Sequence, residues 1–514
     1  MNATRLNEMI DAILDSIMPF LSRNGEEYQF IDPNDHVEIT AHYGTSHFGT
    51  ALIIIGRQRN DTELMSIGVN LLTSYCNNWG SYSSAADFHA DFNLFALSLA
   101  VDVLERSDGW EDSIKHLKQV ILTAQDNIHE TVNWLPMRCY VNMKRYSWTN
   151  DGKYKEKVAN LLKHINQATN CDGTIEDHLP YGESYNLQYN VSTVALLQLL
   201  RASGENIDIG KQINALINLI SPDGDINYFG RGTNQIFAWG PWIYLLESTD
   251  NQIIASSALD YLENRLPKSL KNYNLLLNGI PGDSKYLWWD YHYFSVYAAH
   301  LLLWFALAVD SSWKKAIAIQ NKRIDFNSIH LYSTEQWVCT IFDGRQRYLS
   351  ERGPAIELIW SKKYGTLLKG CFGPWGGSFG NKWNYGGGAI HNYCGLFEIK
   401  DKPLPGIEKI RKKLHINKQV EFCHEIHPLF CNTKVSFQND QISIIFELPK
   451  EMNAYINIPI FEDCGITLRN IGICADGKQI PCFVSMRIVN QYGWSSIIQS
   501  RKEQAKKWVL TINM

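Results

Sequence analysis

A change of hydrophobic period near residue 328 constrains the fold of this chain more than any other feature of its sequence. Before it, apolar residues recur at helical spacing. The first stripe consists of Leu6, Ile10, Ile13, Leu14, Ile17, Met18 and Leu21. Similar stripes run through residues 46–58, 62–77, 86–105, 111–126, 155–168, 186–202, 209–220, 234–248, 252–265 and 291–309. About a dozen helices joined by short Gly, Asn, Asp and Pro segments favour stacked helical hairpins closed into an (α/α) toroid.

After residue 328 the pattern becomes one of short runs in which apolar and polar residues alternate. Residues 337–342, 442–447 and 454–459 are examples. A period of two with frequent turns predicts an antiparallel β-sandwich. The sequence therefore predicts two domains, an (α/α) toroid catalytic domain at residues 1–327 and an antiparallel β-sandwich at residues 328–514.

Composition excludes several classes of protein. With 514 residues, 45% hydrophobic and 20% charged, the chain can bury a large core and is not intrinsically disordered. A net charge of -5 argues against a nucleic-acid partner. No apolar run is long enough to cross a membrane, so we expect no membrane partner. The sequence leaves the oligomeric state open.

The cysteines and the N-terminal segment bear on the compartment. The cysteine count of 11 is odd, and no Cys-x-x-Cys pair occurs, which favours a reducing compartment. Residues 1–23 carry acidic residues in an amphipathic pattern rather than a basic start and an apolar run. We therefore expect a cytoplasmic protein, or a secreted or periplasmic one if the natural chain begins further upstream.

Four segments of the helical half are dense in polar and aromatic residues where a simple core would be apolar: 87–93, 172–189, 228–235 and 288–293. In the first, His89 and Asn93 are four residues apart and share a helix face. In the third, Arg231 lies between two glycines, which allow close backbone approach. A capping or packing role is the alternative for each of these side chains.

The second segment carries Asp172-Gly173-Thr174, then Asp177-His178, then Tyr185 and Tyr189. It resembles the Asp-Gly-Ser, Asp-His and Tyr-x-x-x-Tyr stretch of polysaccharide lyases of the hyaluronate and chondroitin lyase type. Those enzymes, like the heparinase II/III-like lyases, place a helical toroid before an antiparallel β-sandwich. His178 matches the catalytic histidine of that family and Tyr189 the catalytic tyrosine. Their separation is about two residues longer than in the family, so Tyr185 competes for the tyrosine role.

The resemblance implies two further catalytic residues, an asparagine on an earlier helix and an arginine in a glycine-rich loop. Asn93 and Arg231 occupy those places, although Asn93 lacks the Asn-Trp-Trp signature of the family. The implied reaction is β-elimination at a uronic acid. Asn93, with help from His89, would bind the carboxylate, and Tyr189 beside Arg231 would remove the C5 proton and protonate the glycosidic oxygen. His178 would be an alternative base or an orienting partner.

Other residues are candidates for binding substrate or a metal. The candidate substrate-binding residues are His89, Asn234, Gln235, Trp288, Trp289, Tyr293, Asn384 and Tyr385. The reaction needs no cofactor, and we expect none. A structural divalent metal in the β-domain is the alternative, with His391, His424 and His427 as ligands. In a strand, His424 and His427 point to opposite faces, so joint ligation would need a bend.

The leading functional prediction is a polysaccharide lyase that cleaves a uronic-acid-containing, acidic polysaccharide or oligosaccharide. A uronyl C5-epimerase shares the proton abstraction and is the nearest alternative. A glycoside hydrolase on the same toroid needs two carboxylates. Its candidates are Asp91, Asp177, Glu183, Asp223 and Asp290. A non-catalytic glycan-binding protein is the third alternative.

Overall fold

The structure is a computed structural model. It describes residues 2–25, 27–82, 88–129, 131–177, 186–228, 230, 232–278, 293–319, 322–342, 355–370, 394–403, 422–429 and 431–514. The described chain divides into two compact units, a helical unit that ends at Asp325 and a strand-rich unit that begins at Phe326. None of the helices in these ranges combines the length and the apolar character needed to span a bilayer.

The helical unit contains the α-helices of the described chain. They are α1 (Asn2–Ile17), α2 (Gly44–Arg59), α3 (Thr62–Asn77), α4 (Ala90–Leu104), α5 (Glu111–Thr123), α6 (Leu135–Thr149), α7 (Gly152–Ala168), α8 (Leu187–Ala202), α9 (Gly210–Asn218), α10 (Trp239–Glu247), α11 (Gln252–Glu263), α12 (Leu266–Lys271) and α13 (Phe294–Val309). The first predicted stripe extends to Leu21, but α1 ends at Ile17. Pro19 lies in the 3-10 turn that follows, and a short hairpin of β1 (Leu21–Asn24) and β2 (Glu27–Phe30) comes next.

Six of these described helices form a closed inner ring. In the order α2, α4, α6, α8, α10 and α13, each packs on the next, and α13 packs back on α2. The helices α1, α3, α5, α7, α9 and α11 lie outside the ring, packed on α13, α2, α4, α6, α8 and α10 respectively. Inner and outer helices therefore alternate along the chain. This is the arrangement of an (α/α) toroid, and it confirms the predicted ring of helical hairpins.

The apolar pattern of each helix explains its place in the ring. Every residue of α4 is buried, as is every residue of α13 except Val309. By contrast, the outer helix α5 buries only Leu117 and Ile121. A helix that is apolar all round needs neighbours on every side, whereas an amphipathic helix covers the ring and turns its polar face to water.

One inner helix, α6, is absent from the predicted stripes. Its apolar pattern is interrupted by Arg138, Asn142 and Arg145, all of which are buried. Each finds polar partners inside the protein, including a short ion pair between Arg145 and Asp126. Buried polar residues of this kind hide a core helix from a reading of hydrophobic period.

The strand-rich unit is antiparallel throughout its described pairings. Its strands are β3 (Ile329–Ser333), β4 (Trp337–Phe342), β5 (Ala355–Ser361), β6 (Gly365–Lys369), β7 (Gly395–Pro403), β8 (Phe422–Pro428), β9 (Asn432–Gln438), β10 (Gln441–Phe461), β11 (Ile471–Ala475), β12 (Lys478–Gln479), β13 (Cys482–Val489), β14 (Trp494–Ser500) and β15 (Glu503–Asn513). One sheet has the order β3-β4-β5-β6, and the larger sheet follows the path β12-β11-β15-β10-β14-β13.

The long strand β10 organises the larger sheet. Its first half pairs with β9 and β15, and its second half pairs with β7 and β14. The register against β15 shifts between Glu447 and Met452, which marks the irregularity between the two halves. Side chains from both sheets, such as Trp337 of β4 and Trp508 of β15, belong to one hydrophobic core. The antiparallel sheet is thus confirmed, and a sandwich of two facing sheets stays a prediction.

Candidate functional site

The N-terminal ends of the inner helices meet at one end of the ring. The His42 ring, which precedes α2, lies 4.2 Å from that of His89 before α4 and 5.1 Å from that of Tyr293 before α13. His89 lies 6.1 Å from Trp134, which precedes α6. The contacts therefore link the starts of four neighbouring inner helices.

The other two inner helices complete this end of the ring. The Val132 amide before α6 donates to the Asp177 carbonyl before α8 at 2.9 Å. The Phe237 ring before α10 lies 5.7 Å from that of Tyr297 in the neighbouring helix α13. We call this end of the ring, formed by residues 41–47, 88–93, 131–138, 186–190, 232–238 and 293–300, the N-terminal rim. Because the positive end of each helix dipole lies there, the rim favours a negatively charged ligand.

Four buried histidines lie at the rim and beneath it: His42, His47, His89 and His300, here called the histidine cluster. None is more than 6% exposed. Burial lowers the pKa of His42 to about 4 and those of His47 and His89 to about 3. Burial also lowers the pKa of His300 well below its usual range. The cluster is therefore neutral at pH 7.

His89 is held in one tautomer by its backbone partner. Its Nδ1 lies 2.7 Å from the Ala41 carbonyl oxygen, which only accepts, so Nδ1 carries the proton. In the neutral ring Nε2 then has a lone pair, and it makes no hydrogen bond to any residue the structure describes. His89 is thus equipped to accept a hydrogen bond at the rim. Donating one to a carboxylate, as the sequence prediction requires, would need the other tautomer.

Asn93 is fully buried and already engaged. Its Oδ1 accepts from the Ser46 hydroxyl at 2.6 Å, and its Nδ2 donates to the His89 carbonyl at 3.2 Å. The side chain therefore ties α4 to α2 directly beneath His89. This geometry makes Asn93 a positioning group for His89, and its direct contact with a substrate stays a prediction.

The second segment begins with a turn at Asp172-Gly173. The Asp172 carboxylate accepts from the Thr174 amide at 2.9 Å and from its hydroxyl at 2.6 Å. The next residue, Ile175, is paired with the Asn190 side chain of α8 through both its amide and its carbonyl, each at 2.8 Å. The Asn190 side chain thus satisfies both backbone groups of Ile175, as a neighbouring strand would, and fixes this loop to the start of α8.

Tyr189 lies in the first turn of α8. Asn186 caps that helix, and its side chain accepts from the Tyr189 amide at 3.4 Å. Tyr189 is half-buried, so part of its side chain is accessible at the rim. His178 and Tyr185, the other candidates of this segment, lie outside the described residues.

Of the three described carboxylates named for a hydrolase, Asp91 and Asp223 accept hydrogen bonds from other side chains. Arg138 donates to both oxygens of Asp91, at 3.0 and 2.8 Å, and both side chains are buried. Asp223 accepts from the Ser221 hydroxyl at 2.5 Å. Asp177 is buried at 3% exposure. Glu183 and Asp290 lie outside the described residues.

The third segment places a glycine against the start of α8. A Cβ on Gly232 would lie 2.4 Å from the Gln188 Oε1, and its φ of +75° also favours glycine. The close backbone approach that the two glycines predict is therefore present at Gly232. Arg231, between them, lies outside the described residues.

Asn234 and Gln235 have different roles although they are adjacent. Asn234 adopts a left-handed conformation with φ 58°, and its backbone bonds to Asn227 and Leu277, at 3.1 and 3.0 Å. Gln235 is fully buried, and its side-chain amide has no hydrogen-bond partner among the described residues. Asn234 thus shapes the turn, while the Gln235 side-chain amide has hydrogen-bonding capacity that no described residue uses.

The structure describes some of the remaining predicted residues but not others. Tyr293 lies at the rim beside His42. Trp288, Trp289, Asn384, Tyr385 and His391 lie outside the described residues. His424 and His427 occupy β8 opposite Asp401 and Glu398 of β7. The described residues contain no group of three or more His, Cys, Asp or Glu that could hold a metal ion, and a structural metal in the β-domain stays a prediction.

Sequence reasoning missed several residues of the rim, chief among them His42, His47, Arg138 and His300. His300 had a weak signal, since it is the one histidine within the largely apolar helix α13. It lies 253 residues from His47, its hydrogen-bonding partner. A contact of that separation leaves no trace in local spacing.

No family model and no curated protein sequence matches this chain. Among solved structures, it is similar to the GH76A α-1,6-mannanase from Salegentibacter sp. HEL1_6, with 11% identity, a TM-score of 0.41, and coverage of 59% of this chain and 98% of that one. A polysaccharide lyase matches with 14% identity, a TM-score of 0.38, and coverage of 59% and 97%. A mutant of unsaturated glucuronyl hydrolase from Streptococcus agalactiae matches with 14% identity, a TM-score of 0.42, and coverage of 60% and 92%. TM-scores below 0.5 assign neither a family nor a reaction to this chain.

Proposed function

We propose that this chain is an enzyme that cleaves a uronic-acid-containing glycan by β-elimination at the N-terminal rim. The observation that carries the proposal is the meeting, at one end of the ring, of the inner helix starts with Tyr189 and the neutral His89. The sequence resemblance to toroid lyases at residues 172–189 agrees with this location.

Electrostatics favour an acidic sugar. Each inner helix directs the positive end of its dipole toward the rim. The buried Asp91 carboxylate is already neutralised by Arg138, so it does not cancel this field. The neutral histidine cluster adds no charge of its own. A uronate carboxylate would therefore be attracted to a site whose fixed charge is provided by backbone dipoles.

The reaction needs a base for the C5 proton and an acid for the leaving oxygen. The electron pair of the C5–H bond forms the C4=C5 double bond as the C4–O bond breaks. Tyr189 as phenolate takes the C5 proton and then returns one to the departing glycosidic oxygen. Arg231 would favour the phenolate by its charge, and His178 is the alternative base. His89, with its Nε2 lone pair, would accept a hydrogen bond from a sugar hydroxyl and so orient the ring.

The test uses the near-ultraviolet absorbance of the C4=C5 double bond. The full chain is incubated with a panel of uronate polysaccharides, in parallel with Tyr189→Phe and the control Tyr146→Phe. Tyr146 lies in the last turn of α6, at the opposite end of the ring from the rim. We expect the absorbance to rise with the wild type and the control, and the rate to fall by about 10²-fold or more in Tyr189→Phe. Equal rates in the two variants would remove Tyr189 from the mechanism.

The same incubations distinguish the alternatives. Deuterium entering at C5 in D₂O without chain cleavage would indicate a uronyl C5-epimerase. New reducing ends without absorbance would indicate a hydrolase. Binding of the glycan, measured by calorimetry, with none of these changes would indicate a non-catalytic protein. Each of these three outcomes contradicts the lyase proposal.

A further inference from the structure

Gln188 directly precedes Tyr189 in the first turn of α8, on the face of that helix that borders the ring axis. Ser192 and Leu196, four and eight residues further along, line a small apolar cavity that every inner helix, or the turn leading into it, also borders. Residues spaced by four share one face of a helix. The Gln188 side chain therefore points toward the axis at the level of the rim, beside Tyr189.

The carboxamide of Gln188 has no hydrogen-bond partner among the described residues. The residue is 3% exposed, and its Oε1 is shielded from solvent without receiving a hydrogen bond. Its backbone carbonyl, by contrast, accepts from the Ser192 hydroxyl at 3.0 Å. Buried polar side chains are nearly always paired in folded proteins, so an unpaired one calls for an explanation outside the fold.

Gly232 holds this carboxamide in place. A Cβ on Gly232 would lie 2.4 Å from the Gln188 Oε1 and 2.7 Å from both Cδ and Nε2, so the whole amide plane packs against the glycine. The glycine is itself fixed, because its carbonyl accepts from the Asn227 side chain at 2.6 Å and from the Gln235 backbone amide at 3.3 Å. The Gln188 amide is thus positioned by packing, and its hydrogen-bonding groups are left for another partner.

A carboxylate bound at the rim needs a donor, because its oxygens only accept. Asn93 already donates its amide to the His89 carbonyl, and the Nε2 of His89 is bare. The NH₂ group of Gln188 is a neutral donor that no described residue uses. It lies in the first turn of α8, where the helix dipole also favours a negative charge.

We infer that Gln188, rather than Asn93, binds the carboxylate of the uronate that undergoes elimination. The inference rests on the proposed function, for which it names the group that contacts the carboxylate. The hydrogen bond would stabilise the negative charge that grows on the carboxylate as the C5 proton leaves. It would also place C5 beside Tyr189, the next residue of the helix.

The variant Gln188→Met separates a binding role from a structural one. Methionine has nearly the same shape without the amide, so the variant removes a buried polar group that makes no hydrogen bond, and we expect the Tm to rise by about 2 °C. Gln198→Met is the matched control on the same helix. The Gln198 amide donates to the Lys315 carbonyl, so the Tm of the control should fall. A fall of equal size in Gln188→Met would overturn the inference.

Binding of a uronate is measured on the full chain as the rise in Tm with sodium glucuronate, compared with glucose plus an equal concentration of sodium chloride. We expect glucuronate, but not glucose, to raise the Tm of the wild type and of Gln198→Met. We expect no such rise in Gln188→Met. An equal rise in Gln188→Met, or no rise in the wild type, would overturn the inference.

Cleavage assays separate this inference from the proposed function. On a uronate polysaccharide that the wild type cleaves, kcat/KM of Gln188→Met should fall about 10- to 100-fold. Cleavage by the variant at the wild-type rate would overturn the inference and leave the lyase proposal standing. Glucuronate binding that depends on Gln188, with no elimination from any polysaccharide, would overturn the lyase proposal and leave Gln188 as the group that binds the carboxylate.

Discussion

Replacing Arg138 with methionine would test whether a buried ion pair holds the rim together. Arg138 donates to both oxygens of Asp91, at 3.0 and 2.8 Å, and also to the His129 carbonyl at 2.9 Å. The side chains of Arg138 and Asp91 are 9% and 3% exposed. Methionine retains much of the apolar stem, so the main loss in Arg138→Met is the charge. It leaves the Asp91 carboxylate buried without its partner.

The expected effect is large because a single buried charge remains. Breaking a buried pair by removing one partner typically costs about 3–5 kcal/mol, which is roughly 10²- to 5 × 10³-fold in the unfolding equilibrium constant. The double variant Asp91→Leu/Arg138→Met has no buried charge and should recover most of the loss. Without Arg138, burial raises the Asp91 pKa further. The penalty in the single variant should therefore shrink as the pH falls and Asp91 becomes protonated.

Urea unfolding followed by far-ultraviolet circular dichroism at pH 7 and pH 5 measures these effects. Arg487→Met is the matched control, because Arg487 makes the same two-oxygen contact with Glu462 but on the surface, where its side chain is 57% exposed. We expect little measurable change in that control. Equal midpoint shifts in Arg138→Met and Arg487→Met, or a double variant as unstable as the single one, would refute the reasoning.

Two further predictions concern the histidine cluster and the loop beside α8. Because burial lowers the pKa values of the histidine cluster, the unfolded chain takes up protons before the folded chain does as the pH falls below about 6.5. The free energy of unfolding should therefore decrease by about 1.4 kcal/mol for each such histidine with every pH unit of acidification. An unchanged urea midpoint between pH 7 and pH 5 would contradict this. Gly232→Ala should lower the Tm more than Gly477→Ala, since both glycines have positive φ but only Gly232 approaches Gln188. Equal Tm losses would show that the close approach is unimportant.

The ring was predictable from sequence to the extent that burial follows a simple period. The segment of α13 is apolar on all sides, and the sequence shows it plainly. By contrast, the hydrophobic pattern did not reveal α6, because its Arg138 and Arg145 side chains are buried. Their charges are neutralised by Asp91 and Asp126, which lie on other elements. In a sequence pattern, a charged residue indicates an exposed position. That expectation is wrong when the folded protein places an oppositely charged partner beside the residue, and the pattern does not show the partner. The same helix supplies the ion pair of the rim, so missing α6 also meant missing that pair.

The sequence predicted which segments contribute to the site, but not what each residue does there. Polar and aromatic residues collect at the starts of inner helices, and there the described candidates His89, Tyr189 and Gln235 do lie. Roles depend on details that spacing does not record, such as the carbonyl that fixes the His89 tautomer. Asn234 and Gln235 make the same point: they are neighbours of similar chemistry, yet one shapes a left-handed turn and the other holds an unpartnered amide within the described chain. A substrate that is recognised at the rim must therefore be sought first through the Gln235 side-chain amide and His89 Nε2, which bond to no described residue, and only then through residues whose polar atoms are already hydrogen-bonded.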